Sequence, residues 1–381
     1  MKNQRLAART RLWTAIAITL AAPCACAENS QVTLYGRFDV GVNYTHGVRT
    51  AEGARTSRAA MHSGDWGASW LGFTGTEDLG GGQSIVFWLE QGLNLDDGSI
   101  AGASAGTGQA FSRKTTIGWR SRTLGTVMLG RDILLSNGQW DIDPMMNELS
   151  SANTLMRSRN ALIGNNLVQY QSPVVAGFDV LGQYGASEPG DRADPLKAGQ
   201  HGRIRGVQMT YNVPDVEVRA QWNDLADEFG KLGNLFTASR EGFIGAAWQA
   251  TPAFKLQSGW NHVSAPDTAP GLADHADQVR LGGQYEASRQ WQFTGGVYHM
   301  RVRGGAGDST HDAAGRATML AAGVLYYFSP VTFLYASGAH VHNSAGTAFG
   351  VGSNSPGSAN PDNPTAGRAQ SGLYAGMVTS F

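Results

Sequence analysis

The sequence predicts an all-β fold, a transmembrane antiparallel β-barrel of about sixteen strands. Three observations predict it. Apolar and polar residues alternate with period two over strand-length segments, and short connections alternate with long ones. Beyond residue 27 no stretch of 18 apolar residues could form a spanning helix. Composition agrees: 15% of the 381 residues are charged and 51 are Gly, which disfavours helices but suits turns and closely packed strands.

The N-terminus reads as a cleavable leader, residues 1–27. Lys2, Arg5, Arg9 and Arg11 form a basic head, Leu12 to Ala22 an apolar stretch, and Ala25-Cys26-Ala27 the small residues a signal peptidase reads. Pro23 before Cys24, and Cys24-Ala25 before Cys26, fit a lipoprotein box poorly. Both cysteines fall in the leader, so a mature chain of residues 28–381 forms no disulfides although it enters an oxidising compartment. Without the leader, 25 of the 29 Lys+Arg remain against 30 Asp+Glu, which moves the net charge from −1 to about −5. That balance speaks against a nucleic-acid partner.

Alternation is clearest from Gln31 to Tyr44. Val32, Leu34, Phe38, Val40 and Val42 share one face, and Thr33, Tyr35, Arg37, Asp39 and Asn43 the other. Val216 to Trp222 sets Val218 and Trp222 against Glu217, Arg219 and Gln221; Gln278 to Glu286 sets Val279, Leu281 and Tyr285 against Gln278, Arg280 and Gln284. In 331–342 the apolar side is read as Val331, Phe333, Tyr335 and Val341, with His340 and His342 as polar wall residues facing inward. Sixteen such segments are expected between residues 31 and 381. Gly80-Gly81-Gly82, Val213-Pro214-Asp215, Thr251-Pro252-Ala253 and Ser329-Pro330 mark tight turns. Long polar connections are expected near 45–67, 98–110, 132–164, 187–202, 225–239, 264–275, 304–315 and 343–368.

A membrane barrel sorts its connections in this way, short on one side and long on the other. In hydrocarbon every backbone N–H and C=O needs an internal partner, so only helices and closed barrels span. About sixteen strands leave an interior too wide for side chains to fill, which accounts for the polar second face. Tyr44, Trp119, Trp248, Tyr285, Trp291 and Tyr327, near strand ends, suit interfacial aromatic girdles.

Val32-Thr33-Leu34-Tyr35-Gly36-Arg37-Phe38-Asp39 resembles the first strand of Gram-negative general porins, especially the trimeric kind of β-proteobacteria. Leu71-Gly72-Phe73 with Gly75-Thr76-Glu77-Asp78-Leu79-Gly80-Gly81-Gly82 is similar to their second strand and first turn. Leu89-Glu90-Gln91-Gly92 and Gly125 to Arg131 continue the likeness, and the terminal Phe381 resembles the signal read by the barrel-assembly machinery. The resemblance implies a homotrimer in the outer membrane, in contact with lipid and lipopolysaccharide. Where the family has basic residues around Leu-Gly-Phe, this chain has Trp70 and Thr74, and the family's Ser-Lys-Arg-Thr turn is Ser329-Pro330-Val331-Thr332.

The segment 132–164 holds about thirty residues without a strong period, a length that is usually functional or disordered. In the family the third external loop folds into the lumen and sets acids against a basic wall. The resemblance therefore makes Asp141, Asp143, Glu148, Arg157 and Arg159 constriction candidates, facing Arg113 and Arg131. Arg37, Asp39, Glu90, Glu217, Arg219 and Arg280 are candidates for the lumen wall.

Other motifs have plainer explanations. Gly102-Ala103-Ser104-Ala105-Gly106 matches a hydrolase elbow but lies in a Gly/Ala/Ser loop without the strand-turn-helix that chemistry needs. His340 and His342 lack further ligands nearby in sequence. No enzyme activity, cofactor or metal is expected. The reading is a water-filled channel for passive diffusion of small hydrophilic solutes and ions, and the alternative is a channel preferring a sugar or carboxylate. An outer-membrane protease or phospholipase would need Asp/His or Ser/His groups that do not appear, and an adhesin would need a plugged lumen.

Intact-mass analysis of outer-membrane material should give a chain beginning at Glu28. A mass retaining residues 1–27, or a lipid on a cysteine, contradicts the leader assignment.

Overall fold

A strand that alternates apolar and polar residues is stable in a membrane only when its backbone is paired on both edges. The computed structural model describes residues 30–50, 53–101, 110–159, 161–186, 202–352 and 362–381. The leader, the string Gly102 to Gly106, and parts of the connections near 187–202 and 343–368 lie outside the described residues. The first wall strands are β1 (Gln31–Arg49), β2 (Arg55–Ser63), β3 (Ser69–Gly80), β4 (Gln83–Leu93), β5 (Lys114–Ser121) and β6 (Gly125–Ile133). Next come β7 (Ile163–Gln171), β8 (Phe178–Ala186), β9 (Arg203–Val213), β10 (Val216–Ala226), β11 (Ser239–Thr251) and β12 (Phe254–Ser264). The ring ends with β13 (His275–Glu286), β14 (Trp291–Arg303), β15 (Gly315–Ser329), β16 (Thr332–Asn343) and β17 (Gln370–Ser380).

Seventeen strands occupy sixteen wall positions. β3 pairs with the first half of β1, Gln31 to Arg37, and β2 with its second half, Val40 to Arg49, so β2 and β3 are one wall strand broken at 64–68. All other neighbours pair antiparallel in sequence order, and β17 returns to β1 from Arg37↔Ser380 to His46↔Ser371. The sheet thereby closes on itself as a ring. Phe381 completes the seam: its N–H donates to the Gly36 carbonyl (3.1 Å), the Gly36 N–H donates back (3.0 Å), and its ring stands edge-on to Phe38. A Cβ on Gly36 would lie 2.8 Å from that ring, so only glycine fits there.

Most strand limits fall within a few residues of those expected. The connection expected at 45–67 is different: β1 and β2 extend into it as a hairpin, with a bulge after His46 where Gly47 takes φ +100°. What remains irregular is 64–68, where the buried Asp39 carboxylate accepts the N–H groups of Trp66 (2.8 Å) and Gly67 (2.9 Å) and draws the chain inward.

Even-numbered residues of β1 face outward as expected, with Val32, Leu34, Val42 and Tyr44 exposed and Asp39 buried on the inner side. Trp248, Tyr285 and Trp291 are exposed girdle residues, whereas Tyr327 points inward to Gln292 and its neighbour Phe328 takes the outer position. On β16 the expected phase is inverted. Phe333, Tyr335 and Val341 are buried inside, Leu334 faces out, and so do His340 and His342. The reason is tertiary: Met145, Ala152, Leu155 and Met156 of the 134–162 connection pack inside the barrel against Tyr298, Met300, Met319 and Val341. That part of the inner wall is therefore apolar, and hydropathy alone cannot tell its two faces apart.

An arginine replacing Leu281, outward at mid-strand on β13, should destabilise folding in lipid vesicles by about 2–4 kcal/mol, while Thr76→Arg on the inward face of β3 should cost little. Equal costs in folding titrations would overturn the assigned phase.

Candidate functional site

The connection 134–162 begins where β6 ends and closes on itself through Leu134 N–H to the Leu162 carbonyl, 3.0 Å. It opens with a 3-10 turn, Leu135–Ile142, and carries one short helix, α1 (Ala152–Leu155), capped by the Ser151 side chain. Such short turns leave many carbonyls unpaired, and a buried carbonyl needs a donor. Inward side chains of the wall supply them. Gln221 donates to the Leu135 carbonyl (3.0 Å), Gln257 to Asp141 (3.0 Å), Arg280 to Gln139 and Ile142 (both 3.2 Å), and Gln284 to Pro144 (3.2 Å). The loop is thereby tied along the inner faces of β10 to β13.

Its charged residues are mostly ties as well. Arg159 is wholly buried and donates to Ser239 Oγ (2.9 Å), Asn223 Oδ1 (2.6 Å) and Glu241 Oε2 (3.4 Å). Arg157 forks onto Asp312 at 2.7 and 3.1 Å and reaches Asn363 at 2.8 Å. Asp143 accepts from Tyr298 Oη (2.6 Å) and from the N–H groups of Met145 and Ala152 (both 3.0 Å). Removing one member of such a buried pair costs about 3–5 kcal/mol, because the other charge is left uncompensated. Of the five charged loop candidates, only Asp141 presents its side chain to solvent, 65% exposed and 2.8 Å from Arg219. Asp143, Glu148, Arg157 and Arg159 are buried beneath the loop, not displayed on it. Arg280 is likewise covered by the loop, and Arg219 is held between Glu217, Asp141 and the Gly138 carbonyl.

Across from the loop, no described hydrogen bond joins it to the inner faces of β3 to β5. That wall carries a row of cations interleaved with indoles. Trp70 lies between Arg37 (Cζ 4.1 Å from the ring centre) and Arg113 (4.6 Å), and Arg37 also meets Trp66 at 5.3 Å. One step further, Lys114 (5.1 Å) and Arg120 (5.7 Å) lie over Trp88. Glu90 is the acid within the row, accepting from Tyr35 Oη at 2.7 Å and Arg113 Nε at 2.9 Å; Lys114 pairs with Asp132 at 3.2 Å. Arg131 sits on the other phase of β6 from Asp132 and is held by the Ser112 carbonyl and Asn165. Asp39 is the buried acceptor at the break between β2 and β3, and also receives Tyr335 Oη at 3.0 Å. Trp70 separates two guanidiniums and stabilises both by cation–π contact, about 0.5–2 kcal/mol for each.

The sequence singled out Arg37, Arg113 and Glu90, which the structure brings together. It missed Trp70 as a wall element and Lys114, Arg120, Trp88 and Trp66 beside it. Glutamines recurring on the inward phase, Gln221, Gln257, Gln278 and Gln284, were a readable signal that this face meets backbone, since amides serve carbonyls better than they serve open water. Asp312, which holds Arg157 from 155 positions away, left no local signal.

The Gram-negative porin family model matches residues 13–346. An outer membrane porin protein of Bordetella pertussis is 36% identical over 169 residues, covering 41% of this chain and 43% of that protein. A major outer membrane protein P.IB of Neisseria meningitidis is 32% identical over 309 residues, 72% of this chain and 89% of that one. The chain spans about half the length of several curated relatives it matches. Among solved structures, an anion-selective porin from Comamonas acidovorans superposes with TM-score 0.70 at 22% identity, covering 93% of this chain and 100% of that one.

Burial pushes the Glu148 carboxyl, on the loop, up to about 7, and its Oε1 has no hydrogen-bond partner. A carboxyl whose docked value is raised adds stability in its protonated form, fully below about 4.5 and lost as pH rises through about 7. Hydrogen exchange across 145–156 should therefore be slower at pH 5 than at pH 8 after correction for intrinsic rates. Glu148→Gln should flatten the difference; an unchanged dependence in that variant removes Glu148 as the cause.

Proposed function

The chain belongs to the Gram-negative porin family, and on that premise we propose that it is an outer-membrane channel for passive diffusion of small hydrophilic solutes, with a preference for anions. The supporting observation is the imbalance across the lumen: Arg37, Arg113, Lys114 and Arg120 stand on the free wall against two acids, Glu90 and Asp132, while the inward loop exposes Asp141 and keeps Asp143 and Glu148 buried. Charges beside a narrow aqueous path are poorly screened and bias which ion enters. The anion selectivity named for the Comamonas porin is consistent with this reading.

The 134–162 loop narrows the channel, and its buried ties keep the narrowing fixed. The export leader, a homotrimeric assembly, contact with lipopolysaccharide, and recognition of Phe381 by the barrel-assembly machinery complete the proposal. The alternating cations and indoles favour a second reading, a channel that prefers carboxylates carrying a planar group, because a guanidinium pairs with carboxylate while its face can still stack.

Reversal potentials in a salt gradient test the proposal. Arg37→Gln with Arg113→Gln should lower the anion-to-cation permeability ratio by about twofold or more, and Asp141→Asn should raise it. Asp143→Asn should change it little. Equal ratios in the wild type and the double variant, or a larger effect from Asp362→Asn in the external connection, would place the selective site elsewhere.

A further inference from the structure

Among the described residues β2 pairs with β1 alone, so one of its edges carries no neighbouring strand. The ladder decides which backbone groups that edge presents. At its foot the Gly64 N–H donates to the Asp39 carbonyl at 3.3 Å. Bonding alternates along an antiparallel pair, so odd-numbered residues of β1 bond towards β2 and even-numbered ones towards β17. The reciprocal bonds of Gly36 with Phe381 obey the same parity. Gly41, Asn43 and Thr45 stand opposite His62, Ala60 and Arg58, which close the ladder. Ser57, Ala59 and Met61 therefore turn their N–H and C=O groups to the open edge.

β2 is the external half of its wall strand, beyond the break at 64–68, where water serves an open amide at little cost. β4, the neighbour of β3, ends its ladder with Leu93 opposite Ser69. The chain then folds back, Asn94 N–H to the Ser99 carbonyl at 2.9 Å and Ala101 N–H to the Gly92 carbonyl at 3.0 Å, and leaves β2 unflanked. No described hydrogen bond reaches the backbone of Ser57, Ala59 or Met61 along that edge. Both faces of β2 are exposed apart from the half-buried Ala60 and Ser63. An open edge of this kind templates a further strand.

The charges of the edge select its occupant. Arg55 donates to the Ala369 carbonyl at 3.2 Å and has no acid among the described residues, and Arg58 shares an exposed pair with Asp362. Such a pair contributes about 0–1 kcal/mol, so Arg58 can take a second carboxylate. Two copies of β2 laid edge to edge would set arginine near arginine, and like charges across a sheet repel. On the outward face Ala59 and Met61 adjoin Tyr44 and Val42, so that side of an added strand meets apolar neighbours. We propose that the open edge of β2 docks an extended segment of another polypeptide, acidic on alternate residues and apolar on the others, as a further strand of the sheet. Main-chain bonds at Ser57, Ala59 and Met61 hold the segment, and Arg55 and Arg58 select its charge. The inference goes beyond the channel reading, since docking at the rim requires no solute to cross.

The test titrates the full folded protein in detergent micelles with a labelled peptide of alternating glutamate and valine, matched in length to the 9 residues of β2, and reads binding by fluorescence anisotropy. Two further peptides carry N-methyl groups on the glutamates or on the valines, so each blocks one edge of the added strand. One of these should bind about tenfold more weakly than the parent and the other about as well; a lysine–valine peptide should also lose about tenfold. Ala59→Pro removes a free-edge N–H and spares the ladder to β1, so it should weaken the parent peptide about tenfold with unit conductance unchanged. Ala59→Gly, which keeps the N–H, should bind as wild type and guards against a folding defect. Equal affinity for the parent and both methylated peptides, or wild-type binding by Ala59→Pro, overturns the docking edge. So does loss of oligomer in Ala59→Pro without peptide, which would assign the edge to a contact between copies.

Discussion

Everything in this molecule follows from the need to pair every backbone amide within a medium that offers no water. The antiparallel seam between β1 and β17 meets that need for the two strands furthest apart in the chain. A mispaired seam would leave a row of N–H and C=O groups in hydrocarbon, each costing several kcal/mol. The close approach of Phe381 to Gly36 belongs to the same requirement, since the last residue still hydrogen-bonds in both directions. Closure at sixteen positions in turn sets the lumen's width, and that width creates the need for an inward loop.

The loop is held as a protein core is held, in a place that would otherwise be water. One half is tied by polar side chains of β10 to β13 that satisfy its carbonyls. The other half packs Met145, Leu155 and Met156 against an apolar inner wall on β14 to β16. Buried ion pairs such as Arg157–Asp312 and Arg159–Glu241 are weak evidence for net stability, but they discriminate strongly against any other loop position, because displacement would strand a charge. The arrangement converts a segment with little regular structure into a rigid lip.

Fixing the lip has an electrostatic consequence. Two of the loop's three acids, Asp143 and Glu148, are buried in docking, and Asp141 alone of the three keeps its side chain exposed. On the opposite wall Trp70, seated between Arg37 and Arg113, lets two guanidiniums stand close without a carboxylate for each. The wall keeps its positive character although the chain as a whole carries slightly more acid than base.

The inward loop was an expectation of the family resemblance, and the sequence alone was enough for the barrel, the alternation of its connections and the outward phase of β1. These depend on local periodicity and on turn residues, which a linear pattern records. It was not enough for the phase of β16, where Phe333 and Tyr335 face inward, because an apolar residue reads the same whether it meets lipid or a loop packed inside the barrel. Nor could it sort Asp141 from Asp143 and Glu148: all three are acids on one loop, and only contacts with Arg219, Tyr298 and Ser150 separate the exposed one from the buried two. The open edge of β2 was equally hidden, since strand pairing arises between segments and leaves no mark within either one. Local pattern determined which faces exist; the closed sheet and the docked loop decided what each face touches.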